Sequence, residues 1–486
     1  MTLIAALLGW MFDGLEMGLF PLVARPALGE LLQTTDRTEV SRWISIITAG
    51  FLVGAATGGV LFGWLGDRIG RVRAMTLSVL TYAVFSGACG IATEAWQVAA
   101  CRFIASLGMG GEWSLGVALV MEVWPDKSRA WLAAGIGAAA NAGYLLIAAL
   151  SLVLTAIATS LHAGMLSAGI GEETVNWLTG NSGWRILMLF GTTPALLTFL
   201  IRLFVPESGK WERENQKGST SHWQTRDLIG VLIGAAAGCG LIAFWALPDV
   251  HMLVRVAGTL IMVVIITGGY LYPIVRYVQR SDVAERRTDS SLGKTVRTLM
   301  LAASLSGVAL LGTWGSIQWV PTWADELSQG EPTAKAYTQM CTAGGACIGC
   351  VLAALSGDWL GRRITYMLLC IGSIAATFGV YQLNDAYGIQ LLVMAFIAGA
   401  ITAAFYGWLP LYLPELFRTK VRAISQGFGF NFGRILAAIG VLQLPVVMKN
   451  LEVGWPGACT AMSAVYLIGM VLIWFAPETK GKPLPS

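Results

Sequence analysis

Long apolar runs, separated by short polar loops, occupy most of the chain. A helix rises about 1.5 Å per residue, so about 20 apolar residues cross a hydrocarbon core about 30 Å thick. Runs of that length stand near 3–25, 42–66, 74–93, 95–121, 131–159 and 183–204. A stretch rich in both charges follows, from Glu207 to Asp227. Two more runs lie near 228–247 and 254–275, and a basic linker extends from Arg276 to Arg297. Six further runs lie near 298–323, 335–356, 364–383, 388–412, 421–447 and 456–476. The pattern predicts an all-α polytopic membrane protein of about fourteen spans. Residues 1–205 form an N-terminal six-helix bundle, 206–297 a central region with two added spans, and 298–486 a C-terminal six-helix bundle.

Composition agrees. The chain is 56% hydrophobic and 12% charged, with a mean hydropathy of +0.66. A soluble domain needs more polar surface than that. The net charge of +4 does not suggest a nucleic-acid partner. Cys347 and Cys350 form a CxxC near Cys341, but inside an apolar run, where small residues serve helix contacts. His162, His222 and His251 form no ligand cluster. No metal or cofactor is expected. No nucleophile–base set or phosphate loop appears, which argues against an enzyme. The run after Met1 lacks a basic leader and reads as the first span, not a cleaved signal. The chain begins almost directly in it, which leaves room for a short amphiphilic start ahead.

Lys and Arg set the orientation. One set of alternate loops holds Arg68, Arg71, Arg73, Lys127, Arg129, the basic positions of 210–226 and 276–297, Arg362, Arg363, Arg418, Lys420 and Arg422. The opposite set holds Arg25, Arg37, Arg42, Arg185, Arg255, Lys335 and Lys449. The first set is expected in the cytoplasm, with both termini.

The chain repeats itself. Gly66-Asp67-Arg68-Ile69-Gly70-Arg71 follows the second span, and Gly357-Asp358-Trp359-Leu360-Gly361-Arg362 follows the second span of the C-terminal half. Both read GDxxGR. After each half's fourth span a Glu precedes an Arg by seven residues, Glu122 with Arg129 and Glu415 with Arg422. After each half's sixth span stands Pro206-Glu207-Ser208 or Pro477-Glu478-Thr479. Glycine lets the GDxxGR loop turn in few residues, and its Asp and Arg are expected at the membrane surface, paired or at a helix N-terminus. Asp67, Arg68, Arg71, Glu122, Arg129, Asp358, Arg362, Glu415 and Arg422 are the candidate cytoplasmic gate.

Charges inside spans are costly, at least ~2.5 kcal/mol each on insertion scales. Asp13 lies mid-span, with Glu16 one turn on and on the same face. Two nearby carboxyls away from water hold protons more tightly, as a proton-carrying site requires. Arg102 and Glu112, ten residues apart in the fourth span, are about 15 Å apart along the axis and cannot pair. The acids of the first span are candidate partners for Arg102. Arg434 lies mid-span in the C-terminal half, near Asn431, where a guanidinium binds a carboxylate through two hydrogen bonds. Asn141, Gln318, Gln339, Tyr406 and Trp408 are candidates for the same cavity.

These residues carry a resemblance. Gly63-Trp64-Leu65-Gly66-Asp67-Arg68-Ile69-Gly70-Arg71 resembles the signature loop of the major facilitator superfamily. The Pro-Glu-Ser and Pro-Glu-Thr-Lys-Gly segments resemble the sugar-porter branch. Asp13-Gly14-Leu15-Glu16 resembles the DGxD of organic-acid:proton symporters, with Glu16 in place of the last Asp. Arg102 with Gly108-Met109-Gly110-Gly111-Glu112-Trp113, and the segment Trp314 to Trp323, resemble the sialate:proton symporter group. The fourteen-span layout is similar to bacterial sialic acid transporters. The second span, from Ile44 to Leu65, carries no Arg, unlike related carriers that bind acids there.

The resemblance implies a monomeric carrier in the bacterial inner membrane. It would couple protons to a small organic anion, sialic acid or a related acidic sugar or monocarboxylate. Asp13, Glu16, Glu112 and Arg102 would handle the proton, and Arg434 the anion. The rival expectations are a neutral-sugar symporter or facilitator, and a non-transporting sensor.

Overall fold

The computed structural model describes residues 2–123, 129–194, 204–247, 250–284, 292–331, 333–450 and 453–485. Among these, 13 helical segments are long and apolar enough to cross a membrane. The expected sixth span, 183–204, runs into 195–203, outside the described residues. Lys127, Arg286 and Arg287 also lie outside them, as do the side chains of Arg37 and Lys449.

The first half holds α1 Thr2–Leu31, α2 Arg37–Ile69, α3 Arg71–Ala88, α4 Ala95–Val123, α5 Arg129–Ser167 and α6 Glu172–Phe190. The connection expected between the fifth and sixth spans is itself helical: α5 runs on to Ser167, and α6 begins at Glu172 and kinks at Gly180–Gly183. The charged stretch folds as a short α7, Gly209–Gln216, capped by the Ser208 hydroxyl, which accepts from the Trp211 N–H at 3.2 Å. The added pair is α8 Leu228–Ala246 and α9 Met252–Ala284.

The second half holds α10 Leu292–Gly315 with α11 Val320–Leu327, α12 Ala334–Leu360, α13 Arg362–Gln382, α14 Ile389–Thr402 with α15 Phe405–Tyr412, α16 Arg422–Asn431 with α17 Gly433–Asn450, and α18 Trp455–Met462 with α19 Val465–Leu472. Spans expected as unbroken are thus interrupted at 316–319, 403–404, 432 and 463–464. Hydropathy misses such breaks because each run stays apolar enough to cross. A break frees backbone groups that need new partners inside a membrane. The Ser316 carbonyl finds one in the Tyr381 hydroxyl, 2.7 Å away.

Within the first half α2 and α3 pack on α4, and α1 packs on α5. The halves meet where α5 lies against α12 and α15, and where α2 lies against α16 and α17. Glycine makes the second contact close: a Cβ at Gly427 would stand 2.0 Å from the Gly59 carbonyl oxygen. Helices α8 and α9 pack on each other and on the side of α2, where Thr57 and Tyr270 share a hydrogen bond of 2.7 Å. Their outer faces expose Leu232, Leu253 and Val264, a surface suited to hydrocarbon.

The repeated motifs explain one another. Gly70 and Gly361 sit at φ +110° and +98°, a region that favours glycine. The same glycines leave room for the acid of the Pro-Glu motif, since a Cβ would lie 2.3 Å from a Glu207 oxygen and 3.0 Å from a Glu478 oxygen. Glu207 accepts from the N–H of Arg71 at 2.8 Å and of Val72 at 3.2 Å. Glu478 accepts from Arg362 at 3.1 Å and Arg363 at 3.2 Å. Each carboxylate thereby satisfies free N–H groups in the first turn of α3 or α13, where the helix dipole favours negative charge.

Burial pushes the Glu478 carboxyl up, but the N–H groups of Arg362, Lys480, Arg363 and Thr479 outweigh it and hold the group below the usual carboxylate range. Its ionised form therefore stabilises the fold above the ordinary Glu pKa, and that contribution fades as pH falls through the lowered value. Glu478→Gln is expected to melt at a lower temperature than the parent in detergent at pH 7. The gap should close as pH drops into the acid range, read by thermal unfolding of both proteins across pH. A gap that stays constant with pH would show that the charge is not what matters.

Candidate transport site and gate

The charged motifs gather at one end of the molecule, the motif end. In the first repeat Arg71 reaches Asp67 at 2.8 Å and Glu122 at 3.4 Å. In the second, Arg362 reaches Asp358 at 3.5 Å and Glu415 at 2.7 Å. The Ser208 hydroxyl donates to Glu122, and the Thr479 hydroxyl to Glu415, both at 2.5 Å. The Arg of each Glu…Arg motif does not pair with its own Glu. Arg422 crosses to Glu122 at 3.2 Å and Arg129 crosses to Glu415 at 3.1 Å. The chain's last segment joins in: Arg129 donates to the Lys482 carbonyl at 2.7 Å, and Arg422 to the Pro485 carbonyl at 2.6 Å. Asp67 also crosses, accepting from the Ile424 N–H at 3.0 Å in the first turn of α16.

Asp67, Arg71, Glu122, Arg129, Arg362, Glu415 and Arg422 are all buried. Two expected gate residues stand apart. Arg68 lies over the Trp64 ring and donates to Thr225 at 2.7 Å. The Asp358 side chain is 61% exposed and pairs within its own repeat. Among the described residues, neither forms an ion pair across the seam.

Mid-membrane charges form two clusters. Glu16 accepts from Arg102 and from the Ser86 hydroxyl, while the Arg102 guanidinium lies over the Phe51 and Phe20 rings at 4.6 and 5.1 Å. The carboxyl that faces Asp13 most closely is Glu112, with the Tyr82 hydroxyl beside it and Glu16 further off. Arg434, in the other half, lies near Asp13 and over the Phe430 ring at 5.5 Å. Phe430 in turn stacks on Trp113 across the seam. Among the described residues, Asp13 Oδ1, Glu112 Oε2, and Arg434 Nε and Nη1 have no hydrogen-bond partner. Tyr82 and Ser86 carry no charge and stood unremarked in an apolar run.

A cavity of about 610 Å³ opens between the halves toward the end away from the motifs. Arg102 and Gln318 line it, with Trp314, Trp319, Trp455 and Lys335. A smaller neighbouring recess takes Asn141, Gln318 and Tyr406. Gln318 donates to the Tyr144 hydroxyl at 2.7 Å.

Three other expected binding residues do not line either space. Gln339 spends its amide on the Gly18 and Tyr144 carbonyls, and Asn431 donates to the Gly110 carbonyl at 3.1 Å; both tie the halves together. Trp408 is fully buried at the motif end and donates to the Arg362 carbonyl at 3.1 Å. Arg434 is also set back from the cavity wall. At the far end Arg25 bridges the halves to Asp325 at 2.5 Å and Glu326 at 3.0 Å.

The sequence model of the Major Facilitator Superfamily matches residues 2–441. The chain belongs to that superfamily. Relatives in this group include the cis,cis-muconate transport protein of Acinetobacter baylyi, 24% identical over 91% of this chain and 88% of that one. The niacin transporter of the same species is 24% identical over 99% and 94%. The sialic acid transporter of Escherichia coli is 26% identical, but over 45% of this chain and 47% of that one. A solved proton:xylose symporter bound to 6-bromo-6-deoxy-D-glucose shares the fold, with TM-score 0.71 and 17% identity, covering 99% and 97% of the two chains. The major facilitator fold accounts for the two-half layout and for a cavity on the axis between the halves.

If the motif end opens during the superfamily's working cycle, the crossing guanidiniums must let go. In a cysteine-free background, Ser425→Cys places a thiol at a buried site of that end. Adding Arg129→Gln and Arg422→Gln is expected to speed its labelling by a water-soluble maleimide at least several-fold. Unchanged labelling would mean a static clamp.

Proposed function

We propose that this carrier is a proton-coupled symporter that imports a small organic acid, such as a sialic acid, a related acidic sugar or a monocarboxylate, by alternating access. The observation that carries the reading is the buried Asp13–Glu112 carboxyl pair facing Arg434 across the seam. Two buried carboxyls near each other suit the carriage of a proton. When they take one up, they attract Arg434 less and loosen a tie between the halves. The Glu16–Arg102 pair at the cavity wall offers a second group whose charge changes with proton binding. The membrane potential supplies about 2.3 kcal/mol per charge per 100 mV. Two relatives whose names state an organic acid, the muconate and niacin transporters, support an acidic substrate.

In this reading the motif end is cytoplasmic, both termini lie inside, and the membrane is the bacterial inner membrane. Residues 1–205 and 298–486 rock against each other, and 206–297 contributes the added pair.

A second reading, a neutral-sugar carrier, is favoured by the row Thr38, Ser41, Ser45 and Thr48 along the cavity face of α2. Such hydroxyls suit a polyol as well as an acid.

The deciding experiment is uptake of labelled N-acetylneuraminate, nicotinate and lactate, beside a neutral hexose, into proteoliposomes with and without an inward proton gradient. Acid uptake should rise with the gradient, and Asp13→Asn should lose that response. Hexose uptake that ignores the gradient and survives Arg434→Gln, with no acid carried, would replace this reading by the second.

A further inference from the structure

We infer that Lys335, rather than Arg434, receives the acidic group of the substrate, in the cavity between α2 and the tryptophan wall. The inference rests on the organic-acid reading above and adds to it the residue that binds and the shape of acid that fits.

The cations that reach the cavity wall are Arg25, Arg102 and Lys335, against one acid, Glu326. Two of the three are already engaged. Arg102 is held by Glu16, and Arg25 by Asp325 and Glu326. Lys335 has no ion pair or hydrogen bond among the described residues, and the charges nearest to it are Arg25 and Asp325. Lys335 is partly buried, and an ammonium drawn out of water without a direct ion pair is costly.

Its position adds to that cost. Lys335 is the second residue of α12, a helix of 27 residues. The N-terminal turn of a helix carries positive partial charge, so a lysine there has the wrong sign for stability. A carboxylate against Lys335 would meet the ammonium and the helix end together. Arg434, by contrast, stands behind the wall and faces Asp13.

The rest of the wall describes the acid's body. Thr38, Ser41, Ser45 and Thr48 recur at steps of three and four, so their hydroxyls share one face of α2. Trp314, Trp319 and Trp455 line the cavity as well, with Trp319 and Trp455 stacked at 5.2 Å. The fit is a compact monoacid with one flat or ring-shaped apolar face and one edge bearing hydroxyl or carbonyl groups. A long-chain fatty acid or an inorganic anion would leave one of these walls unused.

The test measures uptake of N-acetylneuraminate and nicotinate in proteoliposomes carrying the parent, Lys335→Gln or Lys335→Arg. Thermal protection of each detergent-solubilised protein by the same acids is measured beside it. Lys335→Gln is expected to raise KM about tenfold or more, the loss of about 1.4 kcal/mol of binding. The maximal rate should stay within about twofold and the response to the proton gradient should survive. Thermal protection should vanish with Lys335→Gln, and Lys335→Arg should restore most of both. A KM and protection unchanged in Lys335→Gln, in a parent that carries the acids, would overturn this inference and leave the symport reading standing. So would a Lys335→Arg protein that folds and carries the acid no better than Lys335→Gln. A parent that neither carries nor is protected by any acid would overturn both.

Discussion

The seam between the halves depends on two acids that each hold two guanidiniums, one from their own half and one from the other. Glu122 holds Arg71 and Arg422; Glu415 holds Arg362 and Arg129. Breaking an ordinary buried ion pair by removing one partner costs about 3–5 kcal/mol, because a charge is left without a counter-ion. Here separation of the halves leaves each acid with its own half's arginine and with a hydroxyl on its own side of the seam, Ser208 or Thr479. The crossing guanidiniums alone lose an acid, and they do so as water enters. The arrangement is therefore strong when closed and would be cheap to open, as a gate at this end would require.

The same logic separates the two ends of the molecule. The motif end is closed by dry, many-partnered charges, whereas Arg25 with Asp325 and Glu326 is partly exposed. Exposed pairs are worth little. The cavity therefore lies behind a light closure on one side and a heavy one on the other. The mid-membrane acids sit between them, close to the seam, where a change of charge bears on both.

Much of this was legible in the sequence. Span positions followed from apolar runs, because the bilayer fixes their length. The duplication followed from three motifs recurring in one order. The swap of Arg129 and Arg422 did not follow, since spacing allows each arginine its own glutamate, and only the meeting of two halves decides otherwise. The nearness of Glu112 to Asp13 did not follow either: Glu16 is near in sequence, whereas Glu112 arrives from another helix. Trp408 looked like a cavity aromatic and is motif-end packing. Lys335 was counted only as a loop charge, since hydropathy cannot say that a helix's first turn faces a cavity. The broken spans escaped because Ala403, Ala404 and Phe432 are as apolar as the helices they interrupt.

The hydrogen bonds from Arg129 to Lys482 and from Arg422 to Pro485 bear on how the protein is made. Both carbonyls follow α19 in the chain, so they leave the ribosome after the helices that carry those two arginines. Until then the two crossing arginines lack those acceptors, and the seam at that end is incomplete. A nascent chain with α1 to α19 in place would thus still be an unlocked one, and the segment from Lys482 to Pro485 would be its closing stitch.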